Sequence, residues 1–260
     1  MDAPMNKKES EKLKKIIIAM FAANVRGKKP DTSTAHKKHA GKEGHWLETQ
    51  MGVSHNASNS PDLHGFEMKN DTTSKTTFGD WSADYYIFKK DSGYKITRDT
   101  FLKIFGKPNK NKKGRYSWSG EPCPKIGSYN SFGQTMIIDR NNNIIALYNF
   151  SKDKRRDKMK IVPKVMQKDD LILAKWSVKS MKSKVEKKFN KRGWFKCLKN
   201  DDGVYHKIVF GEPITFKNWI KGAKKGLIFF DSGMYQGNAR NYSQWRANNK
   251  YWEILVTSTY

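Results

Sequence analysis

Pro61-Asp62-Leu63-His64-Gly65-Phe66-Glu67-Met68-Lys69 is the stretch on which the fold of this chain turns. Pro61 and Asp62 lie at the turn entering a strand-like run. Residues two apart in a strand share a face, so Glu67 and Lys69 are expected on one side and Phe66 and Met68 against the core. Asp62, at the turn entering the strand, can fold back so that its carboxylate meets that of Glu67 around a hard divalent cation. Phosphodiester hydrolysis uses such parts: a metal to neutralise charge and acidify a water, and a group such as Lys69 to orient that water. Spacing alone leaves a second reading open, an ordinary edge strand whose charges face solvent. Glu186-Lys187-Lys188 repeats the Glu-x-Lys spacing mid-helix with no Pro-Asp before it, and reads as a solvated helix face.

Upstream, Ser10 to Val25 carries Leu13, Ile16, Ile17, Met20 and Phe21 at helical spacing and stops at Gly27, so its apolar run Ile16 to Ala23 reads as a core helix too short to span a bilayer. Lys28 to Lys42 reads as a basic loop, in which His36 and His39 lack nearby carboxylates and are taken as solvated rather than as a metal pair. A second helix is expected over Glu43 to Met51, followed by the turn Asn56 to Ser60 and by strands at Phe66 to Asn70 and Lys75 to Phe78. Arg98 to Phe105 reads as an amphipathic helix closed by Gly106, with a very basic loop after it. Gln134 to Asp139 and Ile144 to Phe150 flank Arg140-Asn141-Asn142-Asn143, a hairpin signal because Asn tolerates positive φ. Val178 to Phe189 has helical spacing, Phe216 to Lys221 reads as a helix, and Trp194 to Leu198, Leu227 to Phe230 and Tyr251 to Val256 read as strands.

The 260 residues hold 51 Lys+Arg against 25 Asp+Glu, a formal charge of +26, with 13% aromatic residues. A compact fold this basic repels itself unless an anionic partner lies nearby, and nucleic acid is the expected partner. Cys123 and Cys197 have no metal-ligand or disulfide-framework spacing and are read as reduced thiols. With no repeat and no low-complexity linker, the expectation is one α/β domain with two lobes over 1–260, a catalytic lobe centred on about 1–106 and a C-terminal half that recognises DNA.

Glu48, Met51-Gly52-Val53, Asn56 and the stretch Pro61 to Lys69 together resemble the segment shared by the MvaI/BcnI group of type II restriction endonucleases and the mismatch-repair nickase MutH, members of the PD-(D/E)XK nuclease superfamily. That resemblance implies an α/β (α+β) restriction-endonuclease-like core, a mixed central sheet flanked by helices, with two lobes forming a DNA-binding cleft. It implies Asp62 and Glu67 as metal ligands with the Met68 carbonyl, Lys69 as the catalytic lysine and Glu48 as an auxiliary carboxylate. The implied cofactor is Mg2+, with Mn2+ able to substitute. The implied partner is double-stranded DNA, cut by a cytoplasmic prokaryotic monomer that nicks each strand in turn. A cognate methyltransferase would share the site without stable binding. The hairpin Met136 to Phe150, the helix after Trp176, Trp194 to Lys199 with Tyr205, and Gly226 to Asp231 follow the order of MvaI-like enzymes. The insertion Lys107 to Tyr129 does not, and Asn241 to Arg246 replaces a histidine-containing segment, so no recognition sequence carries over. A strand-specific nickase and a non-catalytic DNA- or RNA-binding protein remain the alternatives.

Residues 231–248 read as a glycine- and asparagine-rich loop suited to base reading, since Arg and Gln pair bidentately with guanine and adenine edges. Arg240, Tyr242, Gln244 and Arg246 are the candidates there. Lys107 to Arg115, with Tyr116 and Trp118, reads as a mobile basic loop that clamps phosphates or inserts a ring into the duplex, with Arg115 and Tyr116 on DNA. Lys152 to Lys160 reads as a solvated or phosphate-facing surface.

Overall fold

The computed structural model describes residues 7–33, 41–53 and 59–260, so His36, His39 and Asn56 lie outside the described residues. Helices α1 (Lys7–Asn24) and α2 (Lys42–Gln50) come first, then strands β1 (Glu67–Asn70), β2 (Lys75–Asp80) and β3 (Tyr85–Tyr86). Helix α3 (Arg98–Phe105) leads to β4 (Lys107–Asn109), β5 (Arg115–Trp118), β6 (Phe132–Ile138) and β7 (Ile144–Asp153). Next are α4 (Lys158–Ile161), β8 (Leu171–Trp176), α5 (Val178–Phe189), β9 (Trp194–Lys199) and β10 (Tyr205–Gly211). The order ends with α6 (Phe216–Lys224), β11 (Ile228–Ser232), β12 (Met234–Tyr235), β13 (Ser243–Asn248), α7 (Asn249–Ile254) and β14 (Val256–Thr259). The class is mixed α+β. No helix among the described residues is long and apolar enough to cross a membrane.

Two compact units share the chain, the first built from Met1–Thr76, Lys184–Phe216 and Asn248–Tyr260 and the second from Thr77–Ser183 and Lys217–Ala247. They do not follow the chain's halves. The reason is a parallel pairing of β1 with β9, Glu67 opposite Trp194 and Lys69 opposite Lys196. Parallel strands need a long crossover, so Lys184–Phe216 joins residues far earlier in sequence.

In the first unit the sheet runs β1-β9-β10-β14, with β10 antiparallel to both its neighbours. One face packs on α1 and α2: Ile17, Phe21, Leu47 and Met51 meet Phe66, Met68, Phe195, Cys197, Ile208 and Phe210 in one apolar cluster. Alternation sends Glu67, Lys69, Trp194 and Lys196 to the other face. That face is buried too, with Trp252 of α7 edge-on to Trp194 at 4.9 Å and near Phe189 of α5 at 6.2 Å. Tyr251 to Val256, expected as a strand, is therefore mostly helix, because docking Trp252 outweighs the β preference of its aromatic and β-branched neighbours.

The second unit carries an antiparallel sheet β3-β8-β7-β6 and two smaller sheets, β11-β13-β2 and β12-β5-β4. Asp139 accepts hydrogen bonds from the N–H groups of Asn141 and Asn143 and Asn142 takes φ 62°, which closes the β6–β7 hairpin at the expected place. Helix α3 starts at Thr97, whose hydroxyl accepts the Thr100 N–H, as a good N-cap does. The basic stretch after α3 is an ordered hairpin, β4 against β5 with Lys107 opposite Ser117, and not a simple loop. Residues 231–248 likewise hold β12 and β13 rather than one open loop. Trp81, Trp118, Trp176, Trp219, Phe230 and Trp245 fill this unit's interior.

Candidate active site and nucleic-acid interface

The catalytic candidates meet in the first unit through a tight turn. Leu63 and Phe66 exchange both backbone hydrogen bonds, at 3.0 and 2.8 Å, around His64 (φ 51°) and Gly65 (φ 85°). Positive φ at both central residues is the signature of a type I′ hairpin turn. Its register sets Asp62 opposite Glu67, and Asp62 Oδ2 accepts the Met68 N–H at 2.9 Å. Glu67 donates its own N–H the other way, to Gly193 O at 3.0 Å. Because N–H and C=O of one strand residue point to the same edge, the Met68 carbonyl lies on the Asp62 side. Alanine at Gly65 would force a side-chain residue into left-handed backbone, at about 1–2 kcal/mol. Gly65→Ala is expected to lower the melting temperature by several degrees and slow any reaction that needs Asp62 beside Glu67. Unchanged melting and rate would show that this turn does not set the site.

Glu67 is 1% exposed and Lys69 7% exposed, which excludes a strand whose charges merely face solvent. Lys69 Nζ donates to Glu67 Oε1 at 2.7 Å and lies 5.3 Å from the centre of the Phe189 ring. A second ammonium, Lys188 Nζ, stands 3.1 Å from the same Oε1. Oε2 of Glu67 is buried and has no hydrogen-bond partner among the described residues. Burial pushes the Glu67 carboxyl above its ordinary range while Lys69 and Lys188 pull it down. Burial also pushes the Lys69 ammonium below its ordinary range, with Glu67 opposing. Two ionisable groups shifted this way by lost hydration, around one orphaned oxygen, mark a site shaped for something other than stability.

Glu48 sits half-buried on α2, the helix that packs on β1. Lys188 belongs to the triplet read as a solvated helix face, and the structure corrects that reading. Met181, Val185 and Lys188 follow an i, i+4, i+7 stripe on α5, so helical periodicity itself puts Lys188 on the buried side. Lys196, also missed, sits beside Lys69 on the same sheet face and is held by Asp71 at 3.4 Å and the hydroxyl of Thr76 at 3.2 Å. A lysine within the otherwise apolar run Trp194 to Leu198 was the available signal.

The DNA-reading candidates all fall in the second unit, in two groups. Arg115 stacks over Tyr235 at 3.8 Å, Tyr235 lies near-parallel to Tyr242 at 6.2 Å, and Arg240 covers Tyr242 at 5.1 Å. Arg240 is held by Asp80 at 2.9 Å. Tyr116 faces Gln236, whose N–H it accepts at 2.9 Å. Gln244 and Arg246 stand on β13, where buried Ser243, Trp245 and Ala247 alternate with them. Arg246 Nε donates to Gln244 Oε1 at 2.9 Å and pairs with Asp231 Oδ2 at 3.1 Å. Such prearranged planar donors suit base edges or phosphates. Asp80, Asp231 and Tyr235, which hold these side chains, were not singled out from sequence.

A family model described as LlaMI restriction endonuclease matches residues 25–260. The type II restriction enzyme ScrFI of Lactococcus lactis subsp. cremoris is 48% identical over 94% of this chain and 97% of its own. Among solved structures, restriction endonuclease MvaI in complex with its cognate DNA substrate superposes with a TM-score of 0.62 at 14% identity, covering 99% of each chain, a likeness of fold.

Proposed function

Because the chain belongs to the LlaMI restriction endonuclease family and is a type II site-specific deoxyribonuclease, we propose that it cuts double-stranded DNA at one short sequence with Mg2+, or Mn2+ in its place, as a monomer that nicks each strand in turn. The observation that carries the catalytic assignment is the orphaned Oε2 of buried Glu67, a lone pair kept from water and aimed at no protein donor. Leaving such an oxygen unpaired costs free energy unless a ligand takes it.

The donor set fits a hard cation. Asp62, Glu67 and the Met68 carbonyl offer only oxygen donors. Two carboxylates are what Mg2+ takes from protein when water and substrate phosphate complete its shell. When bound, the cation neutralises charge on the phosphate and lowers the pKa of a water molecule. Lys69, fixed by Glu67 and the Phe189 ring, orients the attacking water and stabilises negative charge developing on the phosphate. Phe189, Trp252 and Trp194 keep bulk water from that face, which strengthens the electrostatics. Glu48 acts as an auxiliary carboxylate from α2.

In the second unit Arg240, Gln244 and Arg246 read bases, while Tyr242, Arg115 and Tyr116 hold the backbone. The formal charge of +26 supplies sequence-independent affinity. The enzyme works in a bacterial cytoplasm, where a cognate methyltransferase protects host sites without stable association.

Purified protein with Mg2+ is expected to turn plasmid into discrete fragments by way of a transient open circle, and a chelator to stop it. Plasmid that is retarded and never cut would refute the catalytic assignment. Linear product without an open-circle stage would refute sequential nicking.

A further inference from the structure

Lys188 is the unexpected member of the site, and its surroundings define a role. Its ammonium lies 3.1 Å from Glu67 Oε1, an oxygen that already accepts from Lys69 at 2.7 Å. Lys69 already occupies that oxygen at hydrogen-bond distance, so Lys188 is the second ammonium crowded onto one carboxylate oxygen. The Lys188 side chain is 16% exposed against 8% for Lys69, so it is the ammonium with access to an incoming ligand. It rides on the last turn of α5, next to Phe189, which is fully buried, so its backbone is fixed while four methylenes leave its tip free to move.

Charge balance points the same way. Counted formally, Asp62 and Glu67 bring two negative charges and Lys69 and Lys188 two positive ones, so this four-residue cluster is neutral by itself. A divalent cation leaves it with two excess positive charges. A phosphodiester attacked by hydroxide carries two negative charges at the phosphorane-like stage, and the whole becomes neutral there. Without Lys188 the same assembly holds one uncompensated negative charge in a mostly buried place, where charge is poorly screened.

We propose that Lys188 is a second catalytic lysine, one that rests on Glu67 Oε1 in the free protein and moves to a non-bridging oxygen of the scissile phosphate when DNA binds. Lys69 stays on Glu67 to orient the water. Lys188 makes no covalent bond and transfers no proton; it donates hydrogen bonds to the phosphate as charge builds there. This inference rests on the nuclease assignment above and goes beyond it in naming the group that meets the phosphate.

The test compares Lys188→Met, Lys188→Arg and Lys187→Met with wild type, Lys187 being the exposed neighbour on the same turn. Each is assayed by single-turnover cleavage of a plasmid fragment carrying the cut site, at saturating enzyme in Mg2+. Each is also assayed by binding of that fragment in Ca2+ across a range of salt. Thermal unfolding confirms that each variant folds. Lys188→Met is expected to slow the cutting step on the order of 100-fold, as loss of one charge-stabilising donor does. The slope of log affinity against log salt should fall by about one, the loss of one phosphate contact. Lys188→Arg should recover most of the rate, and Lys187→Met should cut like wild type. Lys188→Met cutting within threefold of wild type overturns the proposal. So does a slow Lys188→Met with an unchanged salt slope and no recovery by arginine, which would make Lys188 a prop for Glu67. Wild-type protein that leaves the fragment uncut fails the nuclease assignment itself, an outcome separate from either.

Discussion

Lys69→Ala is expected to cut DNA about a thousandfold more slowly than wild type while still binding it. In the proposed mechanism Lys69 orients the attacking water, and loss of one such group typically costs a factor of 100 to 1,000 or somewhat more. Binding should persist because the candidate DNA-contacting side chains Arg115, Arg240 and Arg246 lie in the second unit. Stability should fall by less than the ~3–5 kcal/mol that follows from leaving a buried charge alone, since Lys188 remains 3.1 Å from Glu67. Asp62→Ala should behave alike in cleavage, with the Met68 N–H losing its acceptor. Single-turnover cleavage beside gel-shift titration decides the matter. A Lys69→Ala protein cutting within tenfold of wild type would remove Lys69 from the mechanism.

Trp245→Ala is expected to destabilise the second unit by about 3–5 kcal/mol and to lower its melting temperature by on the order of 10 °C. Trp245 is fully buried, with ring centres at 5.2 Å from Trp219, 5.5 Å from Phe230 and 5.6 Å from Trp176. Truncation leaves an indole-sized void among rings too rigid to close on it. The same residue sits between Gln244 and Arg246 on β13, so its anchoring also fixes where those two point. Discrimination between the cut site and unrelated DNA should therefore weaken even where the variant is folded. Trp245→Phe, which keeps a ring and loses an indole N–H that has no partner among the described residues, should be milder. A melting temperature within two degrees of wild type for the alanine variant, about what a change under 1 kcal/mol gives, would contradict this.

Much of the catalytic stretch is legible in the chain because its logic is local. Pro61, His64-Gly65 and the alternation of Phe66 to Lys69 fix a turn and a strand within nine residues, and a turn's register alone sets Asp62 against Glu67. Helices α3 and α5 and the β6–β7 hairpin are legible for the same reason, carrying their caps, periodicity and turn residues with them. What could not be read depends on partners distant in sequence. Lys69 is covered by the ring of Phe189, 120 residues further on, and α7 is helical because Trp252 docks on Trp194. Lys188 was passed over because lysines on a helix usually face water, although its place on the stripe of Met181 and Val185 was visible. On β13 the alternation Ser243, Gln244, Trp245, Arg246, Ala247 is a plain strand pattern, masked by the Gly and Asn residues that precede it.

Parallel alignment of β1 with β9 also orders events during synthesis. A ribosome releases Asp62, Glu67 and Lys69 well before Lys188, Phe189 and Trp194 exist, at roughly 5–20 residues per second. Until those later residues arrive, the carboxylates and the lysine stay hydrated and their positions unfixed. Glu67 meets Trp194, and Lys69 meets Lys196, only once that long loop has closed. A nascent or prematurely ended chain thus carries the Asp62, Glu67 and Lys69 motif without the environment that buries it.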